Sequence, residues 1–361
     1  MPSDAAAPGA EGLVASLRRV HGALWIGRVV LFAVALAVAF VVVRLVGKID
    51  WPAVWDALSH LAWWHPLVLV SILLVRMVCN ASPLAFYIPG VTVYRATIND
   101  LAAHLMSIVA PPPSDLALRV TMFTSWGVPT SQGVAGTVMN TVTYYIVRFA
   151  TPLAGFVLLL AAGQAPGPRW LELGFILASA AMLVGLVLVM RSDTLAARTG
   201  ALAARAMRRF RPSVDPGAWA QSCVGFRADM AARFRRGFPL SIAGVTGMIV
   251  ADLTIVVLCL RFVGVSASEV DLVHIAIAYL FAFPLTVFPF MGLGVVDALM
   301  LAALVEAGGL EVEAASVAAL VVWRVFTLAG PVLLGTGAVA MWRHSIRGTD
   351  AEMLTEQPGQ R

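Results

Sequence analysis

A chain of 361 residues that is 60% apolar and only 12% charged, with a net charge of +5 and a mean hydropathy of +0.87, is far more apolar than the roughly 45–50% of a soluble domain. That composition excludes a soluble globular fold, and hydrocarbon is the solvent in which the sequence has to be read; no nucleic-acid partner is expected. Three scattered cysteines, Cys79, Cys223 and Cys259, lack CxxC or paired spacing and indicate neither a disulfide framework nor a cysteine metal site.

Residues 1–20, which include "MPSDAAAPGAEG", predict a disordered cytoplasmic tail. The apolar run at 24–46 is longer than a signal core, and its end, "VVVRLVGKID", has no small-residue cleavage pattern, so it predicts a retained helix. About 20 apolar residues cross roughly 30 Å of hydrocarbon. On that measure further spans are expected at 64–82, 131–163 (with a bend at Pro152), 171–190, 239–263 and 314–342, and two shorter, broken segments at 98–125 and 272–308. The fold class is thus an all-α polytopic membrane protein of about eight segments, with a transmembrane domain over 21–345 and a second disordered tail over 346–361. The connection 191–237 is rich in arginine, and "ARTGALAARAMRRF" places Arg198, Arg205, Arg208 and Arg209 within reach of one helical face, predicting an amphipathic helix on the anionic inner leaflet.

Arginine also sets orientation. The connection 191–237 is basic while the loops "SASEVDL" and "GGLEVEA" carry only acids, so the former is expected in the cytoplasm together with both termini. With that arrangement, 94–163 has one net crossing and surplus apolar sequence, and so does the stretch from 266 to the C-terminus. Each is predicted to hold a re-entrant segment, the first entering from the cytoplasm and the second from outside. Their apices fall at "IVAPPPSDLALR" and "TVFPFMGLGVVDALM". Broken backbone at membrane depth survives only beside protein or a wet cavity, so Pro111, Pro112, Pro113, Pro289, Gly292 and Gly294 are expected to line one. The order of features is alike in both regions, with Asp115 corresponding to Asp297 and Arg148 to Arg324, which predicts an inverted repeat with a substrate site near the midplane.

An ionisable group inside a span costs about 2.5–3.5 kcal/mol on insertion scales and marks a functional candidate. Arg76, His104, Asp115, Arg119, Arg148, Asp252, His274, Asp297 and Arg324 qualify. Arginine binds phosphate oxygens in a bidentate fork while staying charged, so Arg148 and Arg324, then Arg119, are the expected phosphate contacts. Asp115 and Asp297 would hold those arginines or read a cationic headgroup, and Asp115 is expected to pair with Arg119 one turn on. Asp297 falls in the first turn of the half-helix after the break, where free N–H groups favour an anion. His104, Asp252 and His274 are the candidates for proton or ion coupling, and Asp252 needs a partner from another helix.

The stretch "FPFMGLGVVD" followed by "WRVFTLAGPVLLG", with the earlier "APPPSDLALR", resembles the membrane domain of the lysylphosphatidylglycerol synthase and flippase-like family over roughly residues 90 to 345. Met291 and Ser114 stand where that family has glycine, Asp297 and Asp115 where it has glutamate, and Asp115 to Arg119 is one residue longer than its usual spacing. The resemblance implies the lipid-translocating half without the aminoacyl-transferring domain, hence no enzyme activity, with membrane lipids as substrate and a homo-oligomer or a separate lipid-modifying enzyme as partner in the cell membrane. The residues leave two other classes open: an ion-coupled small-solute transporter using His104, Asp252 and His274, and a membrane enzyme with Asp115 or Asp297 as acid or base. Against the latter, no nucleophile motif, His-rich metal spacing or magnesium-binding aspartate pair is present, and neither a cofactor nor a metal is expected.

Overall fold

The computed structural model describes residues 51–110, 114–163, 170–208 and 215–355, and these are all helix and connecting turns. The expected tail at 1–20, the span at 24–46 and the prolines Pro111, Pro112 and Pro113 lie outside the described residues. A short helix, α1 (Trp51–Ser59), is followed by α2 (His65–Tyr87), α3 (Val93–Val109), α4 (Ser114–Ser125), α5 (Thr130–Ala161) and α6 (Trp170–Arg191). The second half comprises α7 (Asp193–Arg208), α8 (Pro216–Phe262), α9 (Leu272–Ala282), the one-turn α10 (Pro289–Gly292), α11 (Val295–Gly308), α12 (Glu313–Arg324) and α13 (Gly330–Thr355). Among the described residues, four stretches are long and apolar enough to cross a membrane: His65–Tyr87, Thr130–Ala161, Arg236–Phe262 and Leu310–Ser345. A fifth is added if Leu173–Leu188 and Asp193–Leu202, bent by 118°, are taken together.

Local signals place the helix starts. Thr92 accepts the Arg95 amide at 3.2 Å, Asp215 accepts those of Gly217 and Ala218 with Pro216 in the first helical position, and Asp271 accepts that of His274 at 2.8 Å; each satisfies a backbone donor that the first turn leaves open. Glycine at positive φ closes the turns after α4, at Gly127 (φ 78°), and after α11, at Gly309 (φ 81°). The helix over 130–161 continues through Pro152 without a break.

α2 and α8 form the central pair. A Cβ on Gly244 of α8 would collide with the Ser82 hydroxyl, and one on Gly237 would come within 3.1 Å of the Phe86 carbonyl, so small residues let the two backbones approach as membrane helices do. Around this pair the two halves exchange elements. α3 and α4 pack on each other as one hairpin, and α9 and α11 as another. The first leg of the earlier hairpin, α3, lies against α13, while the first leg of the later one, α9, lies against α5. Trp342 of α13 also donates to Ser125 at 3.0 Å.

Three expected elements have a wider context. The span predicted at 239–263 is part of a 47-residue helix, about 70 Å long at 1.5 Å per residue, so its arginine-bearing start projects well beyond a hydrocarbon layer. The basic helix does not lie alone: Ala196, Gly200 and Ala204 form a buried stripe seated on the start of α8, where a Cβ on Gly200 would come within 2.6 Å of the Trp219 carbonyl. Arg198, Arg205 and Arg208 face outward, and Arg227 binds Asp193 at 2.5 Å. Finally, α13 runs to Thr355, into the stretch read as a tail, because no proline intervenes before Pro358 to stop it.

Candidate functional site

The break in the second hairpin is built from three positive-φ positions within four residues: Met291 (φ 56°), Gly292 (φ 67°) and Gly294 (φ 86°). A Cβ on Gly292 would stand 2.6 Å from the Leu285 carbonyl, so only glycine fits there. At the start of α11, Asp297 accepts the Gly294 amide at 2.7 Å and Arg324 Nε at 2.6 Å. Arg324 Nη1 donates to the Met291 carbonyl at 3.2 Å, its guanidinium lies 4.3 Å from the Trp323 ring centre, and its Nη2 has no hydrogen-bond partner. Arg324 thus staples α12 to the break, and Asp297 occupies the helix start where a ligand anion was expected. A π-turn over Val325–Ala329 follows at once, a departure from α geometry that is often found at functional sites.

The first hairpin is clamped differently. Arg119 pairs with Asp100 at 2.6 Å and donates to Asn99 Oδ1 at 3.1 Å, while Asn99 Nδ2 returns a bond to the Arg119 carbonyl and Asn80 donates to Asp100 at 2.6 Å. The expected Asp115–Arg119 pair is therefore not formed. Asn99 and Asp100 are buried on the facing leg, and a buried carboxylate holds an arginine more strongly than an i,i+4 partner at the helix start. Asp115 is left half-buried with no hydrogen bond to a described residue.

Arg148, 5% exposed, has no carboxylate partner among the described residues. Its Nη2 donates to the Thr286 hydroxyl, which itself donates to the Phe283 carbonyl at 2.6 Å. The rings of Tyr144, Tyr145 and Phe283 stand 5.4, 5.8 and 5.9 Å from the guanidinium carbon, and Nε has no partner. Aromatic faces stabilise a cation but neutralise none of its charge.

Deeper between α2 and α8, Arg76 Nε lies 2.8 Å from Asp252, close enough to pair though not aligned as a hydrogen bond. Tyr279 donates to the same carboxylate at 2.7 Å and Trp323 at 3.4 Å. Asp252 thus has the inter-helix partner its isolation demanded. The three coupling candidates are not brought together: His104 lines a polar cavity, Asp252 is held in this network, and His274 pairs with Asp271 at 2.7 Å with 40% of its side chain exposed, beside a larger, mostly apolar cavity of about 510 Å³.

The polar cavity, about 310 Å³, is lined by Arg76, Arg119 and Arg148, by Asp100 and Asp115, and by Met291 from the second break. Arg324 and Asp297 stand outside its lining. Asn80, Asp100, Tyr144, Tyr145 and Thr286 also line it and were not singled out from the sequence. Asp100 had a readable signal, a carboxylate within a broken apolar segment; hydroxyl and ring side chains in an apolar helix had none.

A family model described as the lysylphosphatidylglycerol synthase TM region matches residues 25–335. No curated protein and no solved structure matches the chain.

Proposed function

Since the chain belongs to the lysylphosphatidylglycerol synthase TM region family, we propose that it is a lipid translocase of the cell membrane, passing a phosphate-bearing headgroup across the bilayer through the cavity at Arg148. The observation that carries this reading is a buried arginine, without a carboxylate partner among the described residues, facing a cavity among apolar helices. A buried cation without a counter-charge is costly, and a lipid phosphate supplies the charge and the bidentate acceptors that guanidinium prefers. A cavity of about 310 Å³ sits at the lower end of ligand-pocket volumes. It takes a headgroup and leaves the acyl chains in the bilayer.

In this reading the chain has about eight membrane segments with both termini cytoplasmic, the two hairpins are re-entrant, and the halves form an inverted repeat. The reciprocal seating of α3 on α13 and of α9 on α5 supports that symmetry. Arg119 shapes the cavity through its clamp on Asp100, while Arg324 and Asp297 hold the second break. The activity is transport without covalent chemistry, and any enzyme that modifies the lipid is a separate partner.

The test is transbilayer movement of fluorescent phospholipids in proteoliposomes, read by dithionite quenching. Arg148→Gln is expected to lower the protein-dependent rate at least about tenfold, the effect of losing a charge-assisted hydrogen bond. Wild-type rates in that variant, with the helical circular dichroism unchanged, would exclude Arg148 from the pathway.

A further inference from the structure

The charges inside the polar cavity narrow the headgroup, on the premise that the cavity is the lipid site. Three cations and two carboxylates line it. Arg76 is matched by Asp252 and Arg119 by Asp100. The two charges left over are Arg148, 5% exposed and with its Nε lacking a partner, and Asp115, half-buried and without a hydrogen bond to a described residue.

We infer that the cavity selects a net-neutral headgroup that carries one phosphate diester and one primary ammonium, the phosphate held at Arg148 and the ammonium at Asp115. A headgroup with only the phosphate satisfies Arg148 but leaves the Asp115 carboxylate in the same small space, unpaired and repelling the phosphate. A headgroup with only a cation leaves Arg148 bare. The zwitterion neutralises both. A primary ammonium has three N–H donors, and besides Asp115 the cavity lining offers the side-chain oxygen of Asn80, whose nitrogen is used on Asp100. A quaternary ammonium has no N–H to give them. A second ammonium would find no further unmatched carboxylate among the lining residues.

The experiment measures binding to the detergent-purified full chain by isothermal titration calorimetry. The probes are dioctanoyl phosphatidylethanolamine, phosphatidylglycerol, phosphatidylcholine and lysylphosphatidylglycerol, together with soluble glycerophosphoethanolamine. The ethanolamine lipid is expected to bind at least about tenfold more tightly than the other three lipids, the worth of one charge-assisted hydrogen bond. Asp115→Asn, nearly isosteric, erases that preference, and Arg148→Gln weakens every phospholipid.

Equal or tighter binding of phosphatidylglycerol or lysylphosphatidylglycerol by the wild type overturns the inference without need of a variant. So does a preference that persists in Asp115→Asn. If phosphatidylglycerol binds and is lost in Arg148→Gln while no ethanolamine preference exists, the zwitterion fails and the phosphate reading of the cavity stands. If no phospholipid binds, both fail. If glycerophosphoethanolamine binds as tightly as its lipid, the zwitterion site stands and the lipid reading falls to a solute carrier.

Discussion

At the residue scale, the arginines of this protein divide by what neutralises them. Arg76, Arg119 and Arg324 each have an aspartate within 2.8 Å, whereas Arg148 has a threonine hydroxyl and aromatic faces. The sequence ranked Arg148 and Arg324 together ahead of Arg119, because spacing along one helix does not reveal which carboxylate a neighbouring helix will supply. The Arg76–Asp252 pair is a stability element by this division. Arg76 and Asp252 are 6% and 2% exposed, and removing one partner strands the other, at a cost of about 3–5 kcal/mol. Arg76→Leu is therefore expected to lower the unfolding midpoint in detergent sharply. Arg76→Leu combined with Asp252→Asn recovers most of the loss, since a neutral amide still accepts from Tyr279. A single variant as stable as wild type would show that the pair contributes nothing.

At the element scale, the second break shows how sequence signals and strain coincide. Pro289, Gly292 and Gly294 were legible as a helix interruption, and Gly292 and Gly294 do adopt positive φ. Met291 also does so, at the position where the family resemblance places a glycine, and an L-residue in that region costs roughly 1–2 kcal/mol. Met291→Gly removes this cost against a smaller entropy penalty. The thermal unfolding midpoint is expected to rise, for a net gain of up to about 1 kcal/mol; a fall would mean that packing of the methionine side chain outweighs the backbone strain. The basic helix teaches the converse lesson. Its arginines pointed to a membrane surface, but the alanine and glycine stripe at i, i+4, i+8 decided its packing, and small residues are a quieter signal than charges.

At the scale of the whole molecule, the orientation expected from arginine placement is open to direct chemistry. In a cysteine-free background, a single cysteine at Ser268, in the acidic loop after α8, is expected to react with a membrane-impermeant maleimide on intact cells. One at Ser192, between α6 and α7, is expected to react only after lysis. The reverse pattern would invert the topology and turn the cavity's approach around.

What the sequence determined by itself depends on local chemistry: an apolar helical chain, the interruption at Pro289, Gly292 and Gly294, and which side chains are too polar for hydrocarbon. Spans placed at 64–82 and 131–163 stand within a few residues of α2 and α5. Pairing was decided by tertiary structure alone. Asp115 loses Arg119 to Asp100 because α3 brings a buried carboxylate across the hairpin, and Arg324 is spent on Asp297 because α12 lies against the break. Arg148 is left unmatched because the element facing it is a 3₁₀ turn bearing Thr286. A periodic pattern states which residues share a face of one helix; which charge on another helix meets that face depends on contacts between residues as far apart as Arg148 and Thr286, and only the packed fold brings them together.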